Sequence, residues 1–296
     1  MKKKTKIWVG IGAFVMVGGG SVALAPVPGQ AAHLETASPA TSSARLDLLS
    51  SSANIVLAQK QGGEGGEVGE GGEGGEGGEA GINVAATDND PVEYNVALQV
   101  IAAHYYAGFA AYEAKEMEAG AQMFAHGLGE VYVGMEEVFK KRGMTTLGAD
   151  LQAAVDAAAE KKPVGEVGKR VKTVLKSLKA AESKGPTSSA SPLAVKARVV
   201  ANMLNRAAAQ YQASAGDTAL EPYLDGLGFS TVARNESEKL LPALRKSNKK
   251  AAGAIVAALK IARTAYPGIK RPKTKVEAGT FLAAASAVQL TVSQVK

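Results

Sequence analysis

Asp88-Asn89-Asp90-Pro91-Val92-Glu93-Tyr94 reads as a helix start, and the chain stays largely apolar from there to Tyr112-Glu113. Asp90 is a natural N-cap, Pro91 suits the first helical position, and Glu93 is placed to complete a capping box. Tyr94, Ala97, Leu98, Ile101, Tyr105, Gly108 and Tyr112 recur at steps of three and four, the spacing of an amphipathic helix. A second apolar series runs through Met123, Phe124, Leu128, Val131, Met135 and Phe139. It stops at Lys140-Lys141-Arg142-Gly143, with cations on the last turn and a glycine just past it.

The same patterning predicts further helices at about 147–161, 164–184, 192–215, 229–262 and 276–295. Breaks fall at Lys162-Pro163, at Gly185-Pro186-Thr187-Ser188-Ser189, near Gly216, and at Tyr266-Pro267-Gly268. Pro242 should kink the 229–262 segment or end its first half. No stretch alternates apolar and polar residues long enough to demand a sheet. The fold class read from the chain is all-α, a helical bundle in two parts, residues 90–185 and residues 192–296.

Upstream of the helices the chain changes character. Met1-Lys2-Lys3-Lys4-Thr5-Lys6 followed by the apolar run Ile7 to Ala25 has the order of a secretory signal peptide. Gly29-Gln30-Ala31 supplies a small-residue cleavage site, so residues 1–31 are read as the signal, with an uncleaved anchor as the alternative. Residues 32–89 are read as a disordered leader. Within it, residues 62–79 repeat Gly-Gly-Glu, with carboxylates at Glu64, Glu67, Glu70, Glu73, Glu76 and Glu79. Glycine loses the most backbone entropy on ordering and like charges repel, so this tract reads as a spacer. The expected location is exported, periplasmic or extracellular, with no membrane span left after cleavage.

Composition excludes several classes of function. Hydrophobic residues make up 46% of the 296 and aromatics only 5%, so the core should consist mainly of Ala, Val and Leu. The chain has no Cys, which excludes disulfides, thiolate zinc sites, iron–sulfur clusters and thiol catalysis. Net charge is +6, unevenly spread: −3 over residues 1–89, −7 over 90–160 and +16 over 161–296. An acidic module followed by a basic one points to an anionic partner, such as an envelope component, for the second half. Nucleic-acid recognition would need stacking aromatics among those cations, and Tyr211, Tyr223 and Tyr266 are too scattered for it.

Of the three histidines, His33 lies in the leader, and the other two carry the sharpest local signal. His126-Gly127-Leu128-Gly129-Glu130 sets an imidazole and a carboxylate four residues apart on one helix face. His104 sits on the preceding helix. Imidazole plus carboxylate suits iron, zinc or manganese. In an antiparallel hairpin, residues equally far from the turn lie level. A turn at Lys115-Glu116 therefore sets His104 beside His126. A turn at Gly120 displaces them by about 15 Å. Local propensity favours the second, because Ala114 to Met117 reads as helix and Gly120 as a break. The two glycines beside His126 fit close approach of another segment or tight helix packing.

The run from His104 through Gly108 and Tyr112 to His126 and Glu130, with the Gly-Gly-Glu tract, resembles a group of uncharacterised bacterial exported helical proteins. Gln210-Tyr211, Glu221-Pro222-Tyr223 and Gly228-Phe229 loosely resemble the helical periplasmic region attached to bacterial iron permeases. Those patterns carry a further His where Met123 stands and a Glu where Gln210 stands. The hairpin is also similar to a single tetratricopeptide unit through Gly108 and Phe124.

Catalytic motifs are lacking. The Gly-Gly-Glu tract has no lysine or strand–helix frame for phosphate, and Gly226-Leu227-Gly228-Phe229-Ser230 is not a nucleophile elbow. Asp225 with Glu221 could form an acid–base pair, but carboxylates bracketing a Pro-Tyr turn are more often caps. The chain reads as an exported, non-enzymatic helical protein that binds a metal ion, iron before zinc, through His104, His126 and Glu130. The alternative is a helical interaction module whose basic half docks on an anionic envelope or protein partner.

Overall fold

The computed structural model of the chain describes residues 81–215, 220–273 and 275–296. The signal peptide, the Gly-Gly-Glu repeat and His33 lie outside the described residues. Every regular element described is helical: α1 (Val84–Thr87), α2 (Pro91–Glu113), α3 (Met117–His126), a π-helical turn (Gly127–Tyr132), α4 (Val133–Lys141), α5 (Leu147–Ala159), α6 (Val164–Glu182), α7 (Pro192–Ala213), α8 (Glu221–Ser247), α9 (Lys249–Ala265) and α10 (Ala278–Val292). The all-α reading holds. Among the described residues no helix is long and apolar enough to cross a membrane.

α2 is the axis of the fold. Asp90 caps it as expected, its side chain accepting from the Val92 amide at 2.7 Å. The Asp90 N–H goes to the Ala86 carbonyl at 2.8 Å, so Glu93 has no box to close. The three-and-four spacing predicts one buried face, but Val96, Val100, Ala103, Ala107 and Ala111 on the other faces are buried too. Such an all-round apolar helix must be enclosed. α3, α6, α7 and α8 all pack on it.

That arrangement corrects two boundaries. A division between residues 185 and 192 fails because α2, from the first half, is also core to α7 and α8 of the second. The described residues fall in one compact unit. The disordered leader cannot extend to residue 89 either. Ile82 and Thr87 are buried, and the Asp88 carbonyl accepts from Arg142 Nη2 at 2.7 Å.

Most of the described aromatics are buried in the Ala- and Val-rich interior, and four tyrosines are anchored there by their hydroxyls. On α2, the hydroxyls of Tyr94, Tyr105 and Tyr112 donate to the carbonyls of Ala181, Leu151 and Lys162 at 3.1, 3.1 and 2.7 Å. Tyr266 donates likewise to Ala207 at 2.8 Å. Each bond contributes about 1 kcal/mol net and fixes one helix against another.

Helix ends explain where the sequence reading and the structure part. α2 stops in a Schellman motif, with the Glu116 N–H on the Ala111 carbonyl and the Lys115 N–H on the Tyr112 carbonyl, at 2.9 and 3.1 Å. The left-handed position is Lys115, φ +72°, where a glycine is usual. The expected turn at Gly120 is therefore wrong. Gly120 lies inside α3, where a Cβ would come within 2.6 Å of the Gly108 carbonyl oxygen. The glycine serves contact between helices rather than the turn. The 229–262 segment is corrected as well: α8 begins at Glu221, runs through Pro242 and ends at Ser247. The break falls at Asn248, whose side chain caps α9 by accepting from the Ala251 amide at 3.0 Å.

Two substitutions test this assignment by chemical denaturation. Lys115→Gly relieves the left-handed strain and should stabilise the protein by roughly 0.5–1 kcal/mol. Gly120→Ala drives a methyl into backbone and should destabilise it by about 1–3 kcal/mol. The opposite pair of signs would place the turn at Gly120 after all.

Candidate metal centre

With the turn at residues 114–116, His104 and His126 face one another across the α2–α3 hairpin, ring centroids 6.3 Å apart. Two glycines allow the surrounding helices to close in at this level. A Cβ on Gly127 would lie 3.2 Å from His104 Cβ, and one on Gly228 would overlap the Ala103 carbonyl. The first contact seats the end of α3 on α2, and the second seats α8. Gly129, by contrast, faces open space. Of the two glycines beside His126, only Gly127 serves close packing.

The α3 helix widens into a single π turn at Gly127–Tyr132, with the Val133 N–H reaching back five residues to the Leu128 carbonyl. π turns inside α-helices often mark functional sites. Here the turn carries Glu130, whose Oε1 lies 3.5 Å from His126 Nδ1. His104, His126 and Glu130 each offer a ligand atom, and these atoms lie within 4.8 Å of one another. Bonds of about 2.0–2.2 Å to a shared ion require separations of roughly 3.0–3.4 Å, so binding asks for a modest contraction.

His104 is only 4% exposed. Its Nδ1 lies 2.8 Å from the Val100 carbonyl oxygen. A carbonyl can only accept, so the proton sits on Nδ1 and Nε2 carries a lone pair. Donating the far ring N–H to a backbone carbonyl is the arrangement that orients ligating histidines. Burial pushes the His104 pKa down to about 4, with the positive ends of His126 and Arg206 acting in the same direction. The ring is therefore neutral near pH 7, the form a metal requires.

The sequence reading missed the contribution of α8. Asp225 Oδ1 lies 3.5 Å from His104 Nε2, and Glu221 Oε1 lies 3.4 Å from His126 Nδ1. Both carboxylates were read as caps of a turn, yet they stand on the first two turns of α8 facing the histidines. The i, i+4 spacing of Glu221 and Asp225, matching His126 and Glu130, was the available signal. Burial pushes Asp225 up to about 7, and the nearby Glu221 and Glu130 push it further in the same direction. His104, Glu130, Arg206, Gln210, Asp225 and Phe229 line a cavity of about 170 Å³. Gln210 thus stands at the site, whereas Met123 is core.

Arg206 is the cation of this cavity. Its Nε donates to Asn202 Oδ1 at 2.8 Å and its Nη2 to the Gly81 carbonyl at 3.0 Å. The guanidinium lies 5.9 Å over the Phe229 ring; burial lowers its pKa, and the Glu93 charge opposes that shift.

Gly228→Ala should force α8 away from His104, lowering both the thermal midpoint and the retention of any bound metal. Gly129→Ala should leave the midpoint within a few degrees of wild type. Equal midpoints for the two variants would refute the close-approach account. In comparisons with protein-family models, curated proteins and solved structures, the chain matched none.

Proposed function

We propose that the protein binds one divalent transition-metal ion through His104, His126 and Glu130. We favour iron(II), with zinc second, and place the protein in the bacterial cell envelope as an exported, non-enzymatic binder. The carrying observation is the convergence of the three ligand atoms within 4.8 Å across two segments separated by a turn. Two imidazoles and one carboxylate with room left around them form the donor set that suits non-haem iron(II), and the same donors accept zinc. The buried, neutral His104 supports the reading. So does its Nδ1 bond to Val100, which aims Nε2 at the cavity. Export rests on the order of charged and apolar residues in the first 31 positions.

Metal analysis of the purified mature chain, after loading with iron(II) or zinc under reducing conditions, tests the reading. About one equivalent should co-elute with wild type, and none with His126→Ala or His104→Ala. At saturating metal the wild-type thermal midpoint should rise by about 5–10 °C. A wild-type chain that elutes metal-free after loading with either ion would overturn the assignment.

One observation favours the second reading, docking on an anionic partner. Exposed Arg234, Lys260 and Arg263 rim a groove of about 650 Å³ between α2, α8 and α9, floored by Phe109, Leu227 and Leu259. Retention on an anionic polymer should fall steeply between about 50 and 300 mM salt. Retention indifferent to salt would remove this reading.

A further inference from the structure

We propose that Asp225 is the fourth ligand of the ion, so that one divalent cation joins α8 to the α2–α3 hairpin. The inference rests on the metal-binding reading above and extends it to a third helix. It starts from a mismatch between acceptors. His104 Nε2 holds a lone pair, because its other nitrogen donates to Val100. The atom facing it at 3.5 Å is Asp225 Oδ1, a second acceptor, buried and without a hydrogen-bond partner. Two acceptors opposed at this distance repel unless a proton or a metal ion lies between them. Buried polar atoms are nearly always satisfied, so an unpaired carboxylate oxygen facing an imidazole lone pair marks a place for one or the other, and the cavity beside it, also lined by Glu130, has room for an ion.

The same pairing recurs one turn away. His126 Nδ1 faces Glu221 Oε1 at 3.4 Å, and the other Glu221 oxygen accepts from Gln122 Nε2 at 3.0 Å. Glu221 is nearly half exposed and held from outside by Gln122, which suits a carboxylate that orients His126. Asp225, whose Oδ1 is buried, lines the cavity together with His104 and Glu130; it stands outside the group of three atoms within 4.8 Å, so ligation asks its side chain to turn toward them.

Charge balance sets the number of ions. With Asp225 ionised on binding the cation, Glu130, Asp225 and Glu221 bring three negative charges and Arg206 one positive charge. One divalent cation balances the remainder. A second ion would leave an excess of positive charge beside a buried guanidinium, where the desolvation cost is high.

Asp225→Asn separates ligation from a structural role. The amide has the shape of the carboxyl group and can donate to His104 Nε2, so the metal-free variant should unfold at or above the wild-type midpoint. Its zinc affinity, measured by competition with a chromophoric chelator, should fall at least tenfold. With cobalt(II) as probe, its ligand-field spectrum should differ from that of wild type. If wild type binds zinc and Asp225→Asn binds it equally well with an unchanged cobalt spectrum, Asp225 is not a ligand and the three-residue reading survives. If neither wild type nor variant binds either ion, the metal-binding reading itself falls and this inference goes with it. A metal-free variant that unfolds well below wild type, with unaltered affinity, would assign Asp225 a purely structural role.

Discussion

Because α2 is buried on nearly every side, its neighbours must close on it from several directions at once. A helix this apolar is stable only when enclosed, and the depth to which each neighbour sinks depends on the side chains at the contact. Glycines set that depth at three levels. Gly120 meets Gly108 near the turn, Gly127 meets His104 in the middle, and Gly228 meets Ala103 from the opposite flank. Tyrosine hydroxyls bonded to distant carbonyls then hold the helices in register.

The polar cluster is a consequence of this closure. His104 enters the interior because it sits mid-way along a helix that is buried on nearly every side. Burying a ring and an aspartate without a full set of partners costs free energy. Nothing in helix packing requires that cost, since an Ala or Leu at either position would satisfy the same interior. The π turn beside the cluster adds a second departure from regular structure at the same level. The π turn and the unpaired Asp225 oxygen at one level of an otherwise regular bundle support the binding site proposed above.

The helices were largely legible in the chain. Asp90-Pro91 announced α2, Lys140 to Gly143 announced the end of α4, and the breaks at Pro163, Pro186 and Pro267 fell between helices. Errors arose where a residue served a tertiary contact in place of its usual local role. Gly120 looked like a turn and is a contact, while Lys115 looked helical and takes the left-handed position. The sequence reading starts this helix at 229, although Gly226 and Gly228 lie inside α8 and Gly228 is what lets that helix lie against α2. Propensity weighs each residue against its own helix, and packing overrides it when the gain lies in the neighbour. For the site, His104, His126 and Glu130 could be named as candidates from residue type and spacing, whereas Asp225 could not be connected to them.

By itself the sequence determined that this chain builds a cysteine-free, all-helical body, because periodicity, caps and breakers act within a few residues of one another. It also determined that a metal site would have no thiolate and would draw first on histidines and carboxylates, since the chain has three His and no Cys. Only the tertiary structure decided whether those groups meet. The level of His126 against His104 depends on a turn that could shift by a few residues at little local cost, and each residue of shift moves the partner by two helical rises, about 3 Å along the axis. The arrival of Asp225 depends on how closely α8 approaches α2, a distance set by the missing side chain at Gly228 and by the carbonyl it rests on.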